Sequence, residues 1–132
     1  MKTRSTDRFK ANVYIKRAEQ CKNAMQRSFE ACEWDACVSN AILCAISSAD
    51  AYCVHKNGIR SAGDDHREAA LLFRSTGPSD PDIGRAYEHL SKLLDIKSIA
   101  QYGDRSQDEK DAVQAVKHAE RLFDFVRSKI QC

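Results

Sequence analysis

The residues best equipped for chemistry stand together at the start of a predicted helix: Asp64, Asp65, His66 and Glu68. Carboxylates and imidazoles bind metals, but this spacing is too tight for one cation without a ligand from elsewhere in the chain. The other histidines are scattered, and no H-x-x-x-H or E-x-x-H set occurs. We therefore predict no metal and no other cofactor, and we assign the acids to a helix N-terminus.

His66 has two roles open to it at this position. The structural role is a hydrogen bond from the imidazole to a nearby backbone carbonyl, which would fix the preceding loop. A helix N-terminus disfavours positive charge, so the position does not suit a group that must hold a proton during catalysis. The other role is contact with a ligand.

The six cysteines include no C-x-x-C pair, and five of them stand in helical patterns beside small residues. Free cysteine behaves as a small hydrophobe, so these five are predicted to be core thiols in a reducing compartment. Cys132, at the end of the sequence, is predicted to be exposed. Cys53 and His55 are too closely spaced to share a helix face, which argues against a nucleophile and its base.

Charge is unevenly distributed although the net charge is only +2. Residues 1–30 hold eight Lys or Arg and three Asp or Glu, so this part carries +5 and the remainder −3. A basic first helix is suited to phosphates, although such a charge run is more often a solvated face. We see no apolar run of about 20 residues and no signal peptide, and we predict a cytoplasmic, single-domain protein over residues 1–132.

Apolar residues recur at spacings of three and four, which predicts an all-α, up-and-down bundle of four long helices plus one short helix, without strands. The helices are expected at roughly residues 7–32, 34–55, 64–74, 80–100 and from 106 onward. The predicted caps are Asp7 or Thr6, Asp35, Ser79 or Asp80, and Ser106. The first helix is predicted to bury Phe9, Val13, Tyr14, Ala18, Cys21, Met25 and Phe29.

The second helix has an unusual face made of small residues, which would let a neighbouring helix approach closely. Its members are Cys37, Ala41, Cys44, Ala45, Ser48, Ala49 and Tyr52.

Four strings, in their order along nearly the whole chain, resemble the HEPN superfamily (higher eukaryotes and prokaryotes nucleotide-binding domains). They are A-I-S-S-A-D-A-Y, G-x-x-x-x-G-D-D-H-R-E-A, I-K-S-I-A-Q-Y and A-V-K-H-A-E-R-L-F-D-F-V-R. The resemblance implies a helical bundle that pairs into dimers. Many members are metal-independent ribonucleases in which an arginine binds the scissile phosphate and a histidine four to six residues later serves in acid–base chemistry. Others lack that motif and act as partners of small nucleotidyltransferases, as toxin–antitoxin components or as binding domains.

The family's catalytic pattern, Arg-Asn-x-x-x-His-x-Tyr, is incomplete here. Asp95 and Ala100 stand at the arginine and histidine positions, and Tyr102 alone matches. Ala100 cannot exchange a proton. Lys97 could hold a phosphate by its charge, but it has no acid–base partner for catalysis. Arg60 and His66 have the required spacing, but they lie in a loop that leads into the third helix.

The sequence therefore favours a non-catalytic, homodimeric binding module. It would act through a partner protein, possibly a small nucleotidyltransferase of toxin–antitoxin type, or through nucleic acid or nucleotide. Lys97, Tyr102 and Arg105, with the basic first helix, are the predicted contacts. One alternative is a divergent metal-independent ribonuclease that uses Arg60 and His66. Another is a small-molecule-binding helical bundle.

Overall fold

The computed structural model describes residues 2–63, 65–102 and 106–130, and in residues 98–102 it describes the backbone only. This part of the chain forms α1 (Ala11–Glu30), α2 (Trp34–Asn57), α3 (His66–Ser75), α4 (Pro81–Tyr102) and α5 (Glu109–Lys129). The predicted all-α bundle of four long helices and one short helix is confirmed. Its central helix is α2, which packs mainly against α1 and α5 and also contacts α3 and α4.

The small-residue face of α2 is buried as predicted, from Cys37 to Tyr52. Ile15 and Met25 of α1 are fully buried, and α1 makes the most extensive contact with α2. Small side chains on one helix and longer ones on its neighbour allow this close packing. One hydrophobic cluster includes residues from all five of these helices.

The predicted apolar face of α1 is wrong at its beginning, where Phe9 is 87% exposed and Val13 is 49% exposed. A 3-10 turn at Arg8–Lys10 precedes the α-helix, which begins at Ala11. A 3-10 turn has three residues per turn, so it shifts the direction in which earlier side chains point. The buried positions of α1 are Ala11, Ile15, Ala18 and Met25.

Two short strands were not predicted from the sequence. Strand β1 (Thr3–Ser5) pairs antiparallel with β2 (Ile59–Ser61), which follows α2. Between α2 and β2, Gly58 has a left-handed φ of 64°, and its carbonyl accepts a hydrogen bond of 2.7 Å from the Thr6 amide. The two strands attach the N-terminal segment to the loop between α2 and α3.

The caps at Asp7 and Asp80 are confirmed, because each carboxylate accepts a hydrogen bond from the backbone N–H two residues later. Asp65 caps α3 in the same way. Helix α3 begins at His66. Its predicted start at Asp64 lies outside the described residues. Helix α4 ends at Tyr102, two residues beyond the predicted end near residue 100.

The caps predicted at Asp35 and Ser106 are wrong. Helix α5 begins after Asp108, whose carboxylate accepts from the Asp111 amide while the Asp111 carboxylate accepts from the Asp108 amide. The Asp35 carboxylate instead accepts a hydrogen bond of 2.7 Å from the Gln107 amide. Asp35 therefore ties the start of α2 to the segment that leads into α5.

The cysteines divide by position. Cys37, Cys44 and Cys53 are buried in α2, as predicted, and Cys21 is half-buried. Cys32 is exposed, because it follows the end of α1 in a left-handed conformation with φ of 59°. Cys132 lies outside the described residues.

Helix α2 is long and apolar enough to cross a membrane by length and composition, contrary to the sequence prediction. Most of its apolar window is buried against other helices of the bundle, as in the core helix of a soluble protein.

Candidate functional site

A small cavity lies where α2 meets the first residue of α3 and the later part of α4. It has a volume of about 210 Å³ and is lined by Ser39, Ile42, Leu43, Ile46, His66 and Lys97. Its walls are mainly aliphatic, and an imidazole and an ammonium group supply the polar contacts. Ligand sites commonly combine apolar walls with a few convergent polar groups of this kind.

The α2 residues of this cavity continue along one side of the helix. Ser39, Leu43, Ile46 and Asp50 recur at spacings of four, three and four residues, so they share a side that we call the α2 face. The cavity lies along the first turns of the α2 face. Asp50 stands one turn beyond Ile46.

Asp50 carries a strongly perturbed carboxyl group. Burial raises its pKa from 3.8 to about 6, and the guanidinium groups of Arg60 and Arg17 act in the opposite direction. Among the described residues, no cation approaches Asp50 within ion-pair distance. Desolvation therefore dominates, and the carboxyl group titrates close to neutral pH.

Arg60 lies on β2 with its guanidinium 5.4 Å from the centre of the Tyr14 ring. The Nε atom of Arg60 is buried, and it finds no hydrogen-bond acceptor within the described part of the chain. The guanidinium of Arg17 also lies 5.4 Å from the centre of this ring. Tyr14 thus holds two cations beside Asp50, in a group contributed by α1, α2 and β2.

Within residues 2–63, 65–102 and 106–130, no group of three or more His, Cys, Asp or Glu side chains is arranged to hold a metal ion. The features of the candidate site are therefore its cations, the half-buried acid Asp50 and its apolar walls.

A family model described as HEPN domain matches residues 11–129. This span includes all five helices described above. The chain belongs to the HEPN domain family. No curated protein matches it significantly. An HEPN domain is a nucleotide- or RNA-related module.

This HEPN domain brings together Lys97, a predicted contact residue, and His66, which was predicted as a catalytic residue under the ribonuclease alternative, since both line the same cavity. Arg60 lies further along, beside Asp50, one turn of α2 beyond the cavity. The backbone of Tyr102 ends α4, but its side chain is outside the described residues, and so is Arg105.

Asp95, which the sequence resemblance aligns with the family's catalytic arginine, is an ion-paired acid. The carboxylate of Asp95 on α4 binds the Arg67 guanidinium of α3. Arg67 also donates to the Ser91 hydroxyl at 3.3 Å. These contacts join α3 to α4 and hold a negative charge two residues before Lys97.

Sequence reasoning missed Asp50, Tyr14 and Arg17 as members of the site. The sequence did distinguish Asp50, because it is the one Asp, Glu, Lys or Arg between Asp35 and Lys56. An isolated acid within a buried helix is a candidate for a functional carboxyl group. Nothing in the sequence indicated that Tyr14 lies near Arg60, because this proximity depends on the unpredicted strand β2.

Proposed function

We propose that this HEPN domain is a non-catalytic binding module that holds a phosphate-bearing ligand, a nucleotide or an RNA, on the α2 face. The observation that carries the proposal is the shared cavity of His66 and Lys97. Lys97 supplies the charge for a phosphate, His66 supplies a hydrogen bond, and Ile42 and Ile46 supply apolar contact to a sugar or base. Arg60 and Arg17 extend the positive charge along the same helix.

The absence of turnover follows from the residues at the family's catalytic positions. Asp95 repels a phosphate where the active pattern has an arginine, and Ala100 cannot transfer a proton. The ion pair with Arg67 reduces the charge of Asp95 without making it an anion-binding group. Binding is therefore the activity best supported by these side chains.

The module is proposed to work in the cytoplasm through a protein partner. Leu43 lines the cavity and is 50% exposed, so a protein bound over the cavity would bury it beside Ile42 and Ile46. A second copy of the chain would cover it and enclose the cavity. A small nucleotidyltransferase of toxin–antitoxin type is the alternative partner for the same surface.

Fluorescence anisotropy with a 5′-labelled single-stranded RNA and with a labelled nucleotide tests the binding site. Lys97→Ala is expected to weaken binding by roughly fivefold and to reduce the salt dependence by about one phosphate contact. Lys110→Ala is the matched control, because Lys110 is exposed on α5. Equal affinities for wild type, Lys97→Ala and Lys110→Ala would contradict the proposal. Binding of the nucleotide without RNA would favour a small-molecule-binding bundle.

A divergent ribonuclease is the second candidate, and it rests on the arrangement of Arg60 and His66. His66 lines the cavity with Ile46 of α2, and Arg60 acts electrostatically on Asp50, one turn further along that helix. An arginine could hold the scissile phosphate while His66 and the Asp50 carboxyl group exchange protons. This reaction would need no metal and would leave 2′,3′-cyclic phosphate ends.

A further inference from the structure

Two histidines face each other between α4 and α5, away from the residues of the α2 face. The Nδ1 atoms of His89 and His118 are 2.9 Å apart, and their ring centres are 5.2 Å apart. His118 is only 6% exposed, and His89 is half-buried. At this distance one Nδ1–H donates to the lone pair of the other Nδ1, so the two rings have complementary tautomers.

The hydrogen bond determines what the outer nitrogen atoms present. In the neutral pair, the donor ring has a lone pair on Nε2, whereas the acceptor ring carries a hydrogen on Nε2. One added proton occupies that free lone pair and leaves the Nδ1–Nδ1 hydrogen bond intact. The singly protonated pair then has two Nε2–H donors and one positive charge, which is a suitable arrangement for an anion.

Three cations stand beside the pair. Lys92 follows His89 by three residues on α4, while Lys117 and Arg121 flank His118 on α5. All three side chains are exposed, and within the described residues none of them forms an ion pair with a carboxylate. The site therefore has uncompensated positive charge.

Burial favours the neutral form of both histidines, and the neighbouring cations add to this effect. Burial lowers the pKa of both rings, and it lowers that of His118 to about 4. Lys92, Lys117 and Arg121 lower the pKa of both rings further, whereas Glu88 opposes this effect at His89. A bound anion would neutralise the three cations and so restore the affinity of the pair for a proton.

We propose that His89 and His118, with Lys92, Lys117 and Arg121, form a phosphate-binding site that takes up a proton when the phosphate binds. The site is separate from the α2 face and does not depend on the function proposed there. The lysines and the arginine donate to phosphate oxygens, and the protonated histidine pair adds charge beneath them. By linkage, proton uptake by the histidine pair should make the wild type gain phosphate affinity relative to His89→Gln as the pH falls from 8 towards 6. The comparison with the variant is needed because phosphate itself gains a proton over the same range.

Nuclear magnetic resonance of the histidine Hε1–Cε1 groups tests the site. Inorganic phosphate, titrated at constant ionic strength and pH 6.5, is expected to shift the His89 and His118 signals in a saturable way. The double variant Lys92→Gln/Lys117→Gln should weaken binding by roughly tenfold. The matched control is Lys56→Gln/Lys110→Gln, which removes the same charge from exposed positions elsewhere.

Calorimetry supplies the second measurement. The dependence of the binding enthalpy on the ionisation enthalpy of the buffer reports net proton uptake, to which phosphate itself contributes. The share of the histidine pair is the difference between wild type and His89→Gln, and the wild type should take up more protons. Adenosine 5′-monophosphate and adenosine distinguish the sources of the phosphate. Tighter binding of the nucleotide than of phosphate would identify a nucleotide site. Equal binding of the two would identify a site for phosphate alone. Adenosine should not bind.

The proposal is overturned if phosphate causes no saturable shift of either histidine signal. It is also overturned if the Lys92→Gln/Lys117→Gln variant binds phosphate as tightly as its control. Because all four lysines are exposed, these variants are expected to fold, and their circular dichroism spectra provide the check.

Discussion

The ionisation of Asp50 and that of His118 both link this fold to pH, and they act in opposite directions. Burial favours the neutral form of each, which is the protonated acid for Asp50 and the unprotonated ring for His118. The stability of the bundle therefore contains two contributions that change in overlapping pH ranges. Single substitutions can separate them.

The Asp50 contribution is lost as the pH rises. The folded pKa of about 6 exceeds the usual 3.8, so folding binds a proton, and the stabilisation present below pH 4 disappears as the pH passes through 6. Relative to wild type, Asp50→Asn should gain about 1–2 kcal/mol in free energy of unfolding between pH 4 and pH 7. Urea unfolding followed by circular dichroism at several pH values measures this difference. A difference that does not change with pH would contradict the assignment.

The His118 contribution is lost as the pH falls. Its folded pKa of about 4 is below the usual 6.5, so unfolding binds a proton and the stabilisation present above pH 6.5 decreases towards pH 4. His118→Gln keeps a hydrogen-bonding group beside His89 but does not titrate. The loss of stability of wild type between pH 6.5 and pH 4 should therefore exceed that of the variant by about 1–2 kcal/mol, in the same urea experiment. Parallel pH profiles would show that the pair does not titrate in this way.

At the scale of helices and strands, local patterns predicted most of the fold. The spacing of three and four residues located all five helices, and the small residues from Cys37 to Tyr52 correctly identified the buried face of α2. The errors occurred where a long-range contact or a change of helix type decides the outcome. Three-residue strands are too short for a period-two pattern, and their pairing joins residues more than fifty positions apart. The exposed Phe9 follows from a 3-10 turn that spacing alone does not reveal.

The candidate site, too, could be predicted in part: its residue types were visible in the sequence, but their contacts were not. His66 and Lys97 were recognisable from residue type and from their places at a helix start and near a helix end. Their convergence in one cavity depends on how α3 and α4 pack against α2, which the sequence did not specify. The environment of Asp50 depends on Arg60 and therefore on β2.

The start of α5 offers a test at this scale. Asp108 and Asp111 exchange two hydrogen bonds between side chain and backbone, which satisfy amides that the helix itself leaves without acceptors. Asp108→Ala is expected to lower the free energy of unfolding by about 1 kcal/mol, as measured by urea denaturation. Ser106→Ala, at the cap predicted from sequence, is the control and should have little effect. The reverse order of the two variants would contradict the observed capping.

For the whole molecule, the proposal of a homodimer depends on the exposed apolar side chain at the cavity. Leu43→Asp should reduce or abolish self-association, because burying an unpaired carboxylate in an interface is unfavourable. Light scattering after size-exclusion chromatography measures the mass of each variant. Val113→Asp is the control, because Val113 is a half-exposed apolar residue on α5. A wild-type monomer at all concentrations would contradict a dimer and favour a different protein as the partner.

The central claim is that this HEPN domain binds a phosphate-bearing ligand on the α2 face without cleaving it. The most direct test incubates labelled RNA with the wild type, Arg60→Ala and His66→Ala in EDTA, and then examines the bound RNA on a denaturing gel. We predict intact RNA in all three samples, with weaker binding by His66→Ala. Cleavage that leaves 2′,3′-cyclic phosphate ends and disappears in both variants would contradict the claim and identify Arg60 and His66 as a ribonuclease site.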